Sequence, residues 1–270
     1  MGSPTPARFD LYHEEAGQGV PILLIHPSGA TASTWGRVID ELACVGRVIT
    51  YDRRGYARSG GAPVRRLSRH TADAAALLES RATGPAVVVG TSAGAMIAVD
   101  LAVRRPDLVR TVIEHEGPWR FTRHLPTGPQ FATFATIASK VVLGRYGDAA
   151  EALLRSAYRY RDGGTAWDDF PVAWRRAGRD NAKPALWDFL ITIGNRPSGA
   201  DLSTVKVPVV CTYGGRSPDF MVRCTRRFAA AIPTAKLHRV DGAGHAAPFD
   251  APADFAAVVA EAVRTEGSVA

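Results

Sequence analysis

"PAVVVGTSAGAMIAVDLA", residues 85–102, is the stretch that decides the fold. Its opening run, 85–90, is apolar, β-branched and without alternation, the pattern of a strand buried on both faces. It passes into Gly90-Thr91-Ser92-Ala93-Gly94 and then, with no linker, into a helical pattern over 93–104. A turn that carries a serine at its apex between strand and helix is very tight, and side chains two residues to either side would collide. Glycines at 90 and 94 remove those collisions and leave the Ser92 hydroxyl projecting from the sheet edge. The N–H of Ala93, at the helix start, then faces any negative charge developing there. The spacing predicts a nucleophilic serine; the bland alternative is an N-capping serine in an ordinary turn.

The same grammar extends outward. Apolar runs at 21–26, 47–52 and 207–214 end in His, Asp or Gly, and helical patterns cover 35–44, 68–81 and 252–264. Alternating β and α elements predict an α/β fold with a mostly parallel central sheet flanked by helices, and ligands beyond the carboxyl ends of the strands. The alternation stops between about 117 and 202, where helical pieces (130–143, 148–159, 180–193) appear without a convincing strand. We read residues 1–117 and 203–270 as the core and 118–202 as an inserted helical cap. Four of the five tryptophans (Trp119, Trp167, Trp174, Trp187) fall in this stretch. Most would hold the cap's own small core; Trp119 and Trp187 are the candidates for lining an apolar pocket.

The bulk chemistry narrows the function. The net charge of +7 comes almost wholly from arginine, since Lys140, Lys183, Lys206 and Lys236 are the only lysines. Arginines scattered singly and in pairs, with no aromatic interleaving, describe a solvated surface rather than a nucleic-acid site. Cys44, Cys211 and Cys224 lack metal-ligand spacing and read as free thiols in a reducing compartment. No run reaches membrane-spanning length and the start has no apolar leader, so a cytoplasmic location is expected, without membrane, metal or organic cofactor.

A serine nucleophile needs a base and an oxyanion site. "VDGAGHAAPFDAP" (240–252) places His245 in a Gly-rich loop between a short strand and the last helix. "LLIHPSGATASTW" (23–35) follows an early strand and offers the Ser28 N–H as a second oxyanion donor beside Ala93; His26 reads as structural. Together "HPSG" (26–29), "YDRRGYARSG" (51–60), "GTSAG" (90–94) and "GAGH" (242–245) resemble the α/β-hydrolase superfamily over the whole chain except the cap. The resemblance implies an α/β-hydrolase fold with the order serine, acid, histidine.

The resemblance also implies two places for the acid. One follows the strand "VVCTYGG" (209–215), where this chain has Ser217 and the nearest acid is Asp219. The other follows the strand after the nucleophile helix, here "TVIEHEGPW" (111–119), and points to Glu116. That placement is similar to zearalenone-type lactonases and haloalkane dehalogenases. Asp219 has a structural explanation in a helix start with Ser217 as N-cap, so Glu116 is the leading acid and Asp219 the alternative; Glu114 is expected to pair with an arginine. The implied activity is hydrolysis of a small hydrophobic ester or lactone through an acyl-enzyme. Thioesterase, cyclase, C–C hydrolase and cofactor-free perhydrolase chemistries share the triad. A ligand-binding protein without turnover is the alternative from another class, and a homodimer is a further option.

Overall fold

A computed structural model describes residues 11–119, 128–194 and 202–265, so parts of the 118–202 stretch and both chain ends lie outside the described residues. Among the described residues seven strands form one sheet: β1 (His13–Ala16), β2 (Pro21–Ile25), β3 (Arg47–Tyr51), β4 (Ala86–Thr91), β5 (Val109–His115), β6 (Val209–Gly214) and β7 (Ala235–Val240). Their order is β1-β3-β2-β4-β5-β6-β7, and only β1 runs antiparallel to its neighbour. The helices are α1 (Arg37–Ala43), α2 (Leu67–Arg81), α3 (Ala93–Arg104), α4 (Gly128–Val142), α5 (Tyr146–Ala157), α6 (Ala166–Asp169), α7 (Val172–Asp180), α8 (Ala182–Gly194), α9 (Asp219–Ala230), α10 (Ala247–Asp250) and α11 (Pro252–Arg264). This is the α/β-hydrolase fold.

The unalternating apolar runs have a direct cause. Successive side chains of a strand point to opposite faces. Leu23, Ile25 and Val88 pack with α2 and α3 on one face, while Ile22, Leu24, Val87 and Val89 pack with α1 and α11 on the other. Both faces are covered, so every position must be apolar, and each fully buried side chain contributes roughly 1.5–3 kcal/mol. β1 escapes this rule. Its sequence, HEEA, carries two exposed glutamates because an edge strand packs little of its surface.

Helices α4 to α8 lie between β5 and β6 in the chain. Leu154, Tyr158, Trp167 and Phe170 from this region form a third cluster that reaches across to Ala246, the neighbour of His245. Among the described residues, no helix is long and apolar enough to cross a membrane.

Candidate active site

Strands β2 and β4 are neighbours, with Ile25 opposite Gly90. From β2 the chain moves to β3 on one side; from β4 it moves to β5 on the other. The loops after these two strands therefore diverge and open a crevice at the carboxyl edge. Ser28 sits in the first loop and Ser92 in the second.

Ser92 has φ 52° and ψ −120°, a conformation that costs an L-residue on the order of 1–3 kcal/mol. The turn is locked by its N–H, which donates to the His115 carbonyl at 2.9 Å, and by its own carbonyl, which accepts from the Ala95 N–H at 3.0 Å. A Cβ at Gly90 would overlap the Gly94 carbonyl, and one at Gly94 would overlap the Ile25 carbonyl of β2. The second glycine thus does more than relieve the turn: it lets α3 start hard against the strand that leads to Ser28. As the first residue of α3, Ala93 carries an N–H that the helix itself does not satisfy.

Glu116 stands one residue beyond β5, also at positive φ (47°). Its N–H donates to the Thr212 carbonyl at 3.2 Å, tying it to the end of β6. Oε2 accepts from His245 Nδ1 at 2.9 Å, and Oε1 accepts from the Gly214 N–H at 2.9 Å. Burial alone would raise this carboxyl, but the His245 bond, the neighbouring imidazoles and the Ser217 hydroxyl outweigh it and hold it down at about 2. The carboxylate is therefore charged at neutral pH, accepts a hydrogen bond from the Nδ1–H of His245, and leaves Nε2 as the ring's basic face.

The histidine loop is fixed in its turn. The Gly244 N–H donates to Asp250 Oδ2 at 2.7 Å, and the Tyr160 hydroxyl donates to Oδ1 at 2.7 Å. His115 lies behind, its ring 6.4 Å from that of His245. Its Nε2–H donates to the Gly244 carbonyl at 3.1 Å, and its Nδ1 lies 2.9 Å from the Thr212 hydroxyl, which itself donates to the Glu114 carbonyl. Burial lowers its basicity and keeps it neutral. His26 is fully buried, donating to the Pro27 carbonyl and accepting the Arg53 N–H at 3.0 Å.

Asp219 is elsewhere. It opens α9, its side chain is 68% exposed, and its nearest charged neighbour is Arg161 at 3.7 Å. The N-cap of that helix is Pro218, not Ser217. Ser217 is fully buried near Glu116, so the position where an acid might have stood now holds a small hydroxyl. The expectation that Glu114 pairs with an arginine is also corrected: among the described residues its hydrogen-bond donors are a backbone N–H and an indole. Glu114 Oε2 accepts from the Gly117 N–H at 3.0 Å and Trp119 Nε1 at 3.2 Å.

Above the crevice lies a cavity of about 530 Å³, counting the part open to solvent. Ser28, Thr91 and His245 form its polar floor, and aromatic walls come from Trp35, Tyr158, Trp167, Phe170, Trp174 and Phe249. Trp119 and Trp187 are not among the lining residues, which corrects the expectation for both. Trp119 stacks on Phe228 beneath α9, centroids 3.9 Å apart, because its indole N–H needs the Glu114 carboxyl. Trp187 lies half-buried under the Arg65 guanidinium, since the adjacent Asp188 takes the inward direction of α8. Successive helical residues point about 100° apart.

Asp188 is the polar residue that sequence reasoning missed. It is 2% exposed and accepts from Arg53 Nη2 at 2.6 Å, the Tyr56 hydroxyl at 2.5 Å and Ser28 Oγ at 2.9 Å. A signal was present: Asp188 is the lone charge in "PALWDFLITIG" (184–194), and a buried acid requires a cation.

A family model and several known proteins are similar to this chain. The model of the alpha/beta hydrolase family matches residues 22–258. The pimeloyl-[acyl-carrier protein] methyl ester esterase of Chromobacterium violaceum is 28% identical over 260 residues, 96% of this chain and 100% of that protein. The zearalenone hydrolase of Bionectria ochroleuca is 30% identical over 127 residues, 45% of this chain and 48% of that protein. Other curated relatives match over about two fifths of their length (41% and 39%). The solved enol-lactonase of Burkholderia xenovorans LB400 superposes with a TM-score of 0.77 at 20% identity, over 94% of this chain and 96% of that one.

Proposed function

We propose, from the premise that this chain belongs to the alpha/beta hydrolase family, that it hydrolyses a carboxylic ester or lactone with an uncharged aromatic or apolar body. The observation that carries this reading is the 2.9 Å bond from His245 Nδ1 to a buried, ionised Glu116, on the sheet edge where Ser92 crowns a strained turn. His245 Nε2 takes the Ser92 proton as Oγ bonds to the acyl carbon. The carbonyl electron pair moves onto oxygen, where the N–H groups of Ser28 and Ala93 receive it. Collapse expels the alcohol, which leaves with the proton from His245; in a lactone it stays tethered to the acyl group. Water, deprotonated by the same nitrogen, then releases the acid and restores Ser92. Glu116 holds the ring tautomer and stabilises the imidazolium.

The cavity supports the substrate class. Among the described residues its lining includes no Asp, Glu, Lys or Arg, so a charged acyl or alcohol group would lose its hydration there without a counter-ion. The relationship to a methyl ester esterase supports the ester bond as the point of attack. A panel of aryl esters, aryl lactones and thioesters, assayed with wild type and Ser92→Ala, tests the reading. Turnover of neutral aromatic esters or lactones should vanish in the variant; retained turnover would falsify the assignment. Trp167→Ala should raise KM for bulky aromatic substrates about tenfold, while Trp187→Ala leaves it within about twofold.

A further inference from the structure

The cap and the oxyanion loop share one buried carboxylate. Asp188, from α8, accepts from Ser28 Oγ at 2.9 Å, so a cap residue holds the side chain of the residue whose N–H faces the developing oxyanion. A second link runs through Arg53. Its Nη2 donates to Asp188 at 2.6 Å and to the Pro27 carbonyl at 3.2 Å, while its own N–H donates to His26. His26 Nδ1 in turn donates to that same Pro27 carbonyl at 2.8 Å. Residues 26–28 are thus tied through the His26 ring, the Pro27 carbonyl and the Ser28 hydroxyl to a network whose only carboxylate, among the described residues, comes from α8. His70 completes the shell at 3.5 Å from Asp188, and Tyr56 adds its hydroxyl.

We infer that Asp188 is a positioning residue for the oxyanion site, orienting the Ser28 N–H through the Ser28 hydroxyl and through Arg53, so that hydrolysis requires the cap to be seated. An oxyanion donor acts over a few tenths of an ångström, and a loop held only by its two ends would leave the N–H poorly aimed. The aromatic walls supply most of the cavity's apolar surface, so loss of the network weakens the tetrahedral state more than simple binding. This inference rests on the hydrolase reading above.

The test compares Asp188→Asn and Ser28→Ala with wild type; Ser28→Ala keeps the backbone donor and removes only the hydroxyl link. Each variant is measured for kcat and KM on a neutral aryl ester and for two inhibition constants. One inhibitor is an aryl trifluoromethyl ketone, whose hemiketal with Ser92 places an oxyanion in the site; the other is the ester's neutral alcohol product. In Ser28→Ala, kcat should fall roughly tenfold with KM nearly unchanged, the ketone should weaken in proportion, and the alcohol should bind as before. Asp188→Asn should show the same pattern more strongly. Should Asp188→Asn fail to fold, Ser28→Ala decides alone. Unchanged kcat and ketone affinity in folded Ser28→Ala would overturn the inference, as would equal weakening of both inhibitors, which marks a collapsed cavity. Ser92→Ala in the same assay separates the two levels: activity there removes the hydrolase reading itself.

Discussion

Glu114 and Glu116 stand two residues apart at the end of β5, are both buried, and behave as opposites. Glu116 meets an imidazole and a backbone N–H, and its carboxyl is held down at about 2. Glu114 turns to the other side of the sheet, against Trp119, with one oxygen lacking any hydrogen-bond partner. There burial dominates, the charge of Glu116 adds to it, and the carboxyl rises to about 7. The positive φ at Glu116 makes the difference: the chain leaves the strand geometry just there, and one acid is delivered to the crevice while the other stays in the core. Identity and proximity in sequence do not make two carboxylates equivalent; the cations and donors around each decide whether it ionises.

The largest effect should come from breaking the active side of this pair. Glu116→Gln is expected to lower kcat by about 10³–10⁴-fold, because the amide cannot both hold the Nδ1–H tautomer and stabilise the imidazolium. A loss of less than tenfold, measured on the best ester substrate, would remove Glu116 from the mechanism.

Glu114 sharpens the contrast through pH. A carboxyl raised in the folded state from the ordinary 4.5 to about 7 contributes stability that is complete below pH 4.5 and lost as pH climbs through 7. Glu116, lowered from 4.5 to about 2, does the reverse: its contribution is complete above pH 4.5 and lost as pH falls through 2. Each displacement corresponds to roughly 3 kcal/mol. Urea denaturation of Glu114→Gln should therefore lose the decline in stability that wild type shows between pH 5 and 8, with kcat within about threefold. Parallel stability curves for the two proteins would show that Glu114 is already ionised.

The smallest change is expected at Asp219. On an exposed helix start, Asp219→Asn should alter stability by less than about 0.5 kcal/mol and kcat by less than about twofold. A tenfold fall in kcat would move the acid's role to α9.

How far the sequence foretold this molecule follows from the range of the forces involved. The turn at Ser92 was legible because its constraints are local: Gly90 and Gly94 are dictated by carbonyls a few ångströms away, and the buried runs of β2 and β4 by helices on both faces. The chain order and one strand end were enough to bring Glu116 forward. Strand β1 was not legible, because its polar edge sequence carries no periodic signal. Nor were the roles of the cap tryptophans. Whether Trp167 or Trp187 faces the cavity depends on helix rotation, and α8 is rotated by Asp188 seeking Arg53, 135 positions away. A tryptophan-rich composition says that an aromatic wall exists and not which residues build it.

The pairing of Asp188 with Arg53 bears on how such enzymes can be recombined. An α4–α8 segment exchanged with that of a relative would bring its own residue to the place of Asp188, and unless that residue is an acid, Arg53 would be sealed away from water without a counter-charge. Stranding one member of a buried pair typically costs about 3–5 kcal/mol, a large part of a domain's stability. The unit that can be transplanted is therefore the α4–α8 segment together with position 53, although the two are far apart in the gene.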